Sequence, residues 1–156
     1  MKEAPFFELV SKYKGHYELL PQRETKYSAG YDLKAAEDVF ILPDRNAGKP
    51  YLVSTGVKVK LKPNQVLLLV NRSSNSLKRY LDMPNGVGVI DADYYNNADN
   101  EGEIFMMISN KSFKSYQIHK GERIAQGIIV DYQTTSDDKA SGKREGGLGS
   151  TDRKSK

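Results

Sequence analysis

The sequence predicts an all-β fold in a single domain. Short apolar or alternating runs recur along most of the chain, and turns rich in glycine, proline and asparagine separate them. Only one stretch has a helical spacing of apolar residues. The 156 residues suffice for one hydrophobic core. We therefore expect residues 1–133 to form one β domain.

The predicted strands follow one another from the beginning of the chain. They lie at residues 6–10, 31–33, 39–42, 51–54, 57–61, 65–70, 89–90, 104–109, 116–118 and 125–130. Residues 44–50 contain charged residues, glycine and proline, so we predict a loop there.

The single short helix is predicted at residues 74–81. A serine at the start can cap it, and three large side chains follow at helical spacing, namely Leu77, Tyr80 and Leu81. We expect this helix to pack on the sheet.

Residues 134–156 have a different composition from the rest of the chain. They are rich in glycine, serine, threonine and charge, and Leu148 is almost their only apolar residue. Such a segment cannot bury enough apolar surface to fold by itself. We predict a flexible C-terminal arm.

Composition excludes several classes of protein. There is no cysteine, so disulfides and thiolate metal sites are excluded, and no apolar run is long enough to span a bilayer. The start of the chain lacks the features of a signal peptide, which predicts a cytoplasmic protein without a membrane partner. The net charge of +4 is spread along the chain, so we expect no nucleic-acid partner. Lys58, Lys60 and Lys62 alternate with apolar residues and are interpreted as one solvated strand face.

Residues 85–95 concentrate the features of a ligand site. Asn85 and Gly86 fit a tight hairpin turn, Val89 and Ile90 fit a buried strand, and Asp91 follows at the edge of the core. A surface loop with solvated acids is the alternative interpretation of the same residues.

Several familiar motifs do not fit. Residues 142–150 resemble a phosphate-binding P-loop, but Leu148 stands where the lysine is required. Gly86 and Gly88 lack the third glycine of a dinucleotide-binding fingerprint, and the acids of residues 91–103 do not match an EF-hand. His16 and His119 are too isolated to indicate a zinc site or a catalytic triad.

Five segments, taken in order, resemble the motif set of the homotrimeric deoxyuridine triphosphatases (dUTPases), which hydrolyse dUTP to dUMP and pyrophosphate. The segments are Ala29-Gly30-Tyr31-Asp32-Leu33, Arg72-Ser73-Ser74, Gly88-Val89-Ile90-Asp91-Ala92-Asp93-Tyr94, Gly121-Glu122-Arg123-Ile124-Ala125-Gln126 and Arg144-Glu145-Gly146-Gly147-Leu148-Gly149-Ser150-Thr151. The resemblance implies a jelly-roll-like β barrel and a homotrimer whose subunits share their active sites.

The resemblance also implies roles for individual residues. Asp32 would hold magnesium (Mg2+) through water, Asp91 would activate the attacking water, and Tyr94 would lie under the deoxyribose. Asp93 is assigned only a local structural role. The substrate-binding residues implied are Arg72, Ser73, Ser74, Asn85, Gly88, Val89, Ile90, Tyr94, Gln126, Arg144, Leu148, Gly149 and Ser150.

The residue types suit this chemistry. A triphosphate carries about four negative charges, which Arg72 and Arg144 can neutralise by charge-assisted hydrogen bonds. Magnesium bound mainly by phosphate and water needs only one or two protein carboxylates. Backbone groups around Gly88 and Val89, together with the Asn85 amide, can match the hydrogen-bonding edge of uracil.

The chain departs from the family pattern at two positions of the arm and in one loop. Leu148 stands where a phenylalanine usually stacks on uracil, Asp152 replaces a common glycine, and the segment of residues 95–102 is longer than in compact relatives, which predicts a surface loop. Two alternatives stay open. One is a dCTP deaminase of the same fold, and the other is a non-catalytic regulatory or binding protein.

Overall fold

The computed structural model describes residues 2–151, so Asp152 and the last four residues of the predicted arm lie outside the described part. Within that part the strands are β1 (Phe6–Leu9), β2 (Tyr31–Lys34), β3 (Val39–Ile41), β4 (Tyr51–Ser54), β5 (Val57–Lys60), β6 (Gln65–Asn71), β7 (Leu81–Asp82), β8 (Gly88–Asp91), β9 (Phe105–Asn110), β10 (Tyr116–Ile118) and β11 (Arg123–Asp131). The helices are α1 (Asp44–Ala47) and α2 (Ser73–Arg79), and 3-10 turns occur at Ser11–Tyr13, Tyr17–Leu19 and Ala92–Tyr94. None of the helices in residues 2–151 has the length and apolar character that a membrane span requires.

Antiparallel sheets account for most of the structure. One sheet has four strands in the order β2-β11-β6-β8, a second has three in the order β4-β9-β7, and β1-β5 and β10-β3 form separate pairs. The prediction of an all-β, jelly-roll-like fold is confirmed, although the strands of residues 2–151 do not close into one continuous barrel.

The core lies between these sheets and is built from strand residues that alternate inward. Leu67 and Leu69 of β6 are fully buried, as are Leu33 of β2 and Met106 of β9. Each such side chain contributes about 1.5–3 kcal/mol by leaving water. Gly88 lies over this core, because a Cβ there would be 3.0 Å from the Leu69 Cβ. The glycine is therefore required by internal packing, and its function in ligand approach remains a prediction.

The helix α1 was not predicted from the sequence. The predicted loop at residues 44–50 contains α1, whose first residue, Asp44, accepts a hydrogen bond from the Asn110 N–H at 2.7 Å and pairs with Lys111 at 2.9 Å. These partners are more than 60 residues away, so no local pattern reports them. The α1 helix ends at Ala47, and the following Gly48 has a φ of 75°, in the left-handed region.

The packing predicted for α2 is wrong in its details. The helix spans Ser73–Arg79 and so ends two residues before the predicted end at Leu81; Tyr80 adopts a left-handed conformation, and Leu81 belongs to β7. Leu77 is 77% exposed and Tyr80 is 61% exposed, whereas Asn75 is 1% exposed. The helix is thus attached to the sheet through a polar side chain.

Lys58 does not lie on a solvated strand face, as the alternating lysines predicted. It is 7% exposed, and its Nζ donates to Asn96 Oδ1 at 2.6 Å and to Glu101 Oε2 at 2.8 Å. Lys60 and Lys62 are exposed, as expected. A buried ammonium needs a partner charge and hydrogen bonds, and the loop of residues 95–102 supplies both.

Candidate active site

Arg72 and the two serines that follow it form the beginning of α2. Arg72 immediately precedes the helix, and its Nη1 donates to the Arg123 carbonyl at 3.1 Å. The Ser74 Oγ is buried and has no hydrogen-bond partner among the described residues. A buried hydroxyl without a partner costs free energy unless a ligand or water satisfies it. Its place beside Arg72 suits an anionic ligand.

Asp32 lies next to this helix, on β2. It is 8% exposed, and its carboxylate is 3.9 Å from the Arg72 Nε and 3.3 Å from the Arg123 Nη1. Gln126 stands opposite Asp32 in the β2–β11 register. A Cβ at Gly30 would lie 2.7 Å from the Gln126 Oε1, so the glycine leaves room for that side chain. Five of the predicted site residues, together with Arg123, which was not predicted, are therefore close together: Asp32, Arg72, Ser73, Ser74 and Gln126.

The sequence does contain a signal for Arg123, because this arginine lies within the Gly121–Gln126 motif. Only Gln126 of that motif was predicted to bind substrate. The Arg123 guanidinium bridges Asp32 and the Glu24 Oε1, the latter at 3.1 Å. This bridge fixes the carboxylate relative to β11. No group of three or more histidine, cysteine, aspartate or glutamate residues that could hold a metal occurs in residues 2–151. Asp32 therefore belongs to no such cluster within these residues.

The second group of predicted residues lies along β8. This strand pairs with β6 on one side, and within the described residues its other edge is unpaired. Val89 is 60% exposed and Ile90 is 7% exposed, so the two alternate as the pleat requires. Asp91 ends the strand with half of its side chain exposed.

The predicted hairpin before β8 is wrong as a β-hairpin. Gly86 does adopt a left-handed φ of 73°, and its N–H donates to the Met83 carbonyl at 2.8 Å. However, β7 pairs with β9 while β8 pairs with β6, so the turn joins two different sheets. Asn85 lies in this turn near the start of β8.

Tyr94 lies in the 3-10 turn after Asp91, where it is 4% exposed. Its hydroxyl donates to the Glu103 carbonyl at 2.7 Å and accepts from the Asn100 Nδ2 at 2.8 Å. Burial raises the pKa of the Tyr94 phenol. The ring is thus fixed in place and uncharged at neutral pH.

The C-terminal arm lies against this second group within the same chain. The Arg144 Nη2 is 3.0 Å from the Asp91 Oδ2, and its Nε is 2.8 Å from the Asp93 Oδ1. The guanidinium also faces the Tyr94 ring at 5.8 Å. Asp93 therefore holds the arm, a role that its assignment to local structure missed. Arg144 does not lie with Arg72, although both were predicted to bind phosphate.

The remaining arm residues form a turn after this ion pair. The Ser150 N–H donates to the Gly147 carbonyl at 3.2 Å, Gly149 has a φ of 70°, and Leu148 is 55% exposed. A cleft of about 800 Å³ lies beside the ion pair, and its lining includes Asp91, Lys62, Arg144 and Thr151, but not Leu148, Gly149 or Ser150. Its volume is in the range of small-molecule sites.

The two groups of predicted residues lie at opposite ends of β6. Val66 pairs with Asp91, whereas Asn71 pairs with Ala125 and directly precedes Arg72. Five residues of antiparallel strand, at about 3.4 Å each, separate the two ends by about 17 Å. One chain therefore does not bring Asp32 and Asp91 together.

Comparisons with known proteins agree with the sequence motifs. The profile of the dUTPase family matches residues 17–152. The deoxyuridine 5′-triphosphate nucleotidohydrolase of Lactococcus lactis is 44% identical over 147 residues, which cover 93% of this chain and 95% of the relative. The crystal structure of the Streptococcus mutans dUTPase is 44% identical, with a TM-score of 0.78 over 84% of this chain and 98% of that one. A mutant dUTPase of phage 80α, studied for the link between enzymatic activity and SaPI-inducing capacity, is 28% identical with a TM-score of 0.70, covering 90% of this chain and 98% of its own. The chain belongs to the dUTPase family.

Proposed function

We propose that this protein hydrolyses dUTP to dUMP and pyrophosphate, with Asp91 as the general base. The observation that carries the proposal is the position of Asp91, half exposed at the end of β8 and three residues before the buried Tyr94. A carboxylate there can take a proton from a water molecule that attacks the α-phosphorus. General-base assistance contributes a factor of about 10² to 10⁴ in rate.

The edge of β8 that has no partner strand within residues 2–151 is proposed to select the base. Its outward backbone N–H and C=O groups have fixed positions, and the exposed Val89 side chain lies on the same strand. Uracil and cytosine present opposite hydrogen-bond polarity at position 4, so a rigid backbone edge can accept one and reject the other. Tyr94, held through its hydroxyl, is proposed to lie against the deoxyribose and to exclude a 2′-hydroxyl.

The beginning of α2 is proposed to bind the phosphates. Arg72 supplies a permanent positive charge, and Ser73, the free Ser74 hydroxyl and Gln126 supply neutral donors. Asp32 is proposed to hold magnesium through water, which fits a single buried carboxylate beside a phosphate site. When bound, the metal would neutralise part of the charge of the triphosphate.

We propose that the active form is a homotrimer with shared active sites. The support is the separation of about 17 Å along β6 between the residue that pairs with Asp91 and the end that precedes Arg72, so the proposed base and the proposed phosphate ligands of one chain lie apart. A second subunit can bring its Asp32 group to this Asp91. Static light scattering tests this proposal, and a fully active monomer would contradict it.

The decisive experiment measures pyrophosphate release from dUTP, UTP, dCTP and dTTP. The proposal expects release from dUTP only. Asp91→Asn should lower kcat by about 10² to 10⁴ while dUTP still binds. Asp93→Asn is the matched control, because it removes the same charge from the same arginine but not the proposed base, so a weakened arm contact should raise KM while kcat stays close to that of the wild type. Deaminated product from dCTP would favour the deaminase, and no turnover of any nucleotide would favour a binding protein.

A further inference from the structure

The loop of residues 95–102 is held by internal hydrogen bonds, whereas the sequence predicted only a surface loop. The side chain of Asn97, which is 9% exposed, holds it together. The Asn97 Oδ1 accepts from the N–H groups of Asp99 at 3.0 Å and Asn100 at 3.2 Å, while its Nδ2 donates to the Tyr94 carbonyl at 2.9 Å. The loop therefore presents Asp99 in one fixed orientation beside the proposed sugar site.

The Asp99 carboxylate is used by the C-terminal arm. The Gly147 N–H donates to the Asp99 Oδ2 at 2.7 Å, across 48 residues of sequence. No lysine, arginine or histidine of residues 2–151 pairs with Asp99. A hydrogen bond from a backbone N–H to a charged carboxylate is stronger than one between neutral groups.

The glycines of the arm fit closely against the same loop. A Cβ at Gly146 would clash with the Asp99 carboxylate, and a Cβ at Gly147 would lie 2.8 Å from the Asn100 Nδ2. Neither glycine has a left-handed φ, so both are needed because of this close approach and not because of backbone strain. The two segments are complementary in shape as well as in hydrogen bonding.

The loop also links the docked arm to the site. The Asn100 Nδ2 donates to the Tyr94 hydroxyl at 2.8 Å, and Arg144, two residues before Gly146, pairs with Asp91 at 3.0 Å. The arm is thus held at two points, one on the loop and one on the end of β8. Leu148 follows directly after the loop contact.

We propose that residues 95–102 are the docking platform for the C-terminal arm, with Asp99 as the residue that positions it. Asp99 touches neither the base nor the phosphates; it acts by fixing the Gly146–Gly147 backbone, so that the arm residues after it lie over the site. The kinetic consequence rests on the proposed dUTP hydrolysis, but the docking contact itself does not.

The test measures hydrogen exchange of the full-length protein without nucleotide, in peptides that contain Gly147. Asp99→Ala should accelerate exchange of this amide by about tenfold or more, because its acceptor is lost. Asp38→Ala is the matched control, since Asp38 is also exposed and accepts a backbone N–H, from Lys120 at 2.7 Å, but forms no hydrogen bond with the described residues of the arm, so exchange at Gly147 should not change. Equal exchange in the two variants would overturn the proposal.

A double-mutant cycle with Gly147→Ala tests whether the two residues share one contact. If they do, the effects of Asp99→Ala and Gly147→Ala on arm exchange are not additive, and additive effects would contradict the docking contact. With dUTP, Asp99→Ala should raise KM by more than it lowers kcat, because the arm is mispositioned and Asp91 is intact. If the wild type releases no pyrophosphate while exchange behaves as expected, the hydrolase proposal fails and the docking platform stands.

Discussion

Asn75 is predicted to stabilise this fold more than any apolar residue on the exposed side of α2. Its Nδ2 donates to the Ile124 carbonyl at 2.8 Å and to the Asn71 Oδ1 at 2.9 Å, and its Oδ1 accepts from Arg79 at 3.1 Å. The β2–β11 register shifts between Arg123 and Ala125, which is the point where Ile124 lies. Asn75 therefore satisfies a buried carbonyl at an irregularity of the sheet.

The magnitude follows from these three hydrogen bonds. Asn75→Ala leaves the Ile124 carbonyl without this partner, at about 1–3 kcal/mol, and removes two further bonds that are only partly buried and therefore worth about 0.5 kcal/mol each, the lower end of the usual range. We expect a loss of about 2–4 kcal/mol in the free energy of unfolding. Leu77→Ala on the same helix should change it by less than about 0.5 kcal/mol, because Leu77 is 77% exposed.

Urea unfolding followed by circular dichroism, at one fixed chain concentration, measures both variants. With ordinary denaturant slopes, Asn75→Ala should shift the midpoint down by about 1–2 M. A buried leucine truncated to alanine costs about 2–5 kcal/mol. If Leu77→Ala proves the more destabilising of the two, then the helix packs through its apolar side chains and this reasoning is refuted.

Two further predictions concern the arm and the loop of residues 95–102. Leu148→Phe should lower KM for dUTP by about two- to tenfold, because an aromatic ring on the arm can stack on uracil where leucine only covers it; unchanged kinetic constants would show that Leu148 does not reach the base. Burial, with the hydrogen bond to Glu8, raises the pKa of Tyr95 to about 12, so its contribution to stability is complete below about pH 10 and is lost as pH rises towards about 12. The urea midpoint of the wild type should fall more between pH 9.5 and pH 11.5 than that of Tyr95→Phe, and equal falls would contradict the raised pKa.

The strands could be predicted from the sequence because their signal is local. Alternation of apolar residues and the turn residues between them suffice for β4 or β10, whose predicted and observed limits coincide. The positions of Lys58 and Asp44 could not be predicted, since their partners lie 38 or more residues away along the chain. Alternation showed that Lys58 shares a side of its strand with Lys60, but not that loop residues cover only one of them.

The motif segments could be predicted as a set, but their grouping in space could not. Asp32, Arg72 and Gln126 are close together because β2, β6 and β11 are neighbours in one sheet, and this neighbourhood is a property of topology. The same topology separates Asp91 from them by the length of β6. A list of motifs in sequence order contains no information on which of them meet within one subunit.

This separation also explains the unexpected position of Arg144. The arginine was predicted to bind phosphate, yet in one chain it pairs with Asp91 and Asp93 and lies far from Arg72. If Asp91 activates water for attack on the α-phosphorus, the phosphate chain must pass within a few ångströms of Asp91. A guanidinium 3.0 Å from that carboxylate is then already beside the path of the triphosphate. We infer that a second subunit, by bringing its Arg72 and Asp32 to this point, would place the phosphates beside Arg144. Arg144 would then exchange its carboxylate partners, Asp91 and Asp93, for phosphate oxygens, and the site would close without a large movement of the arm.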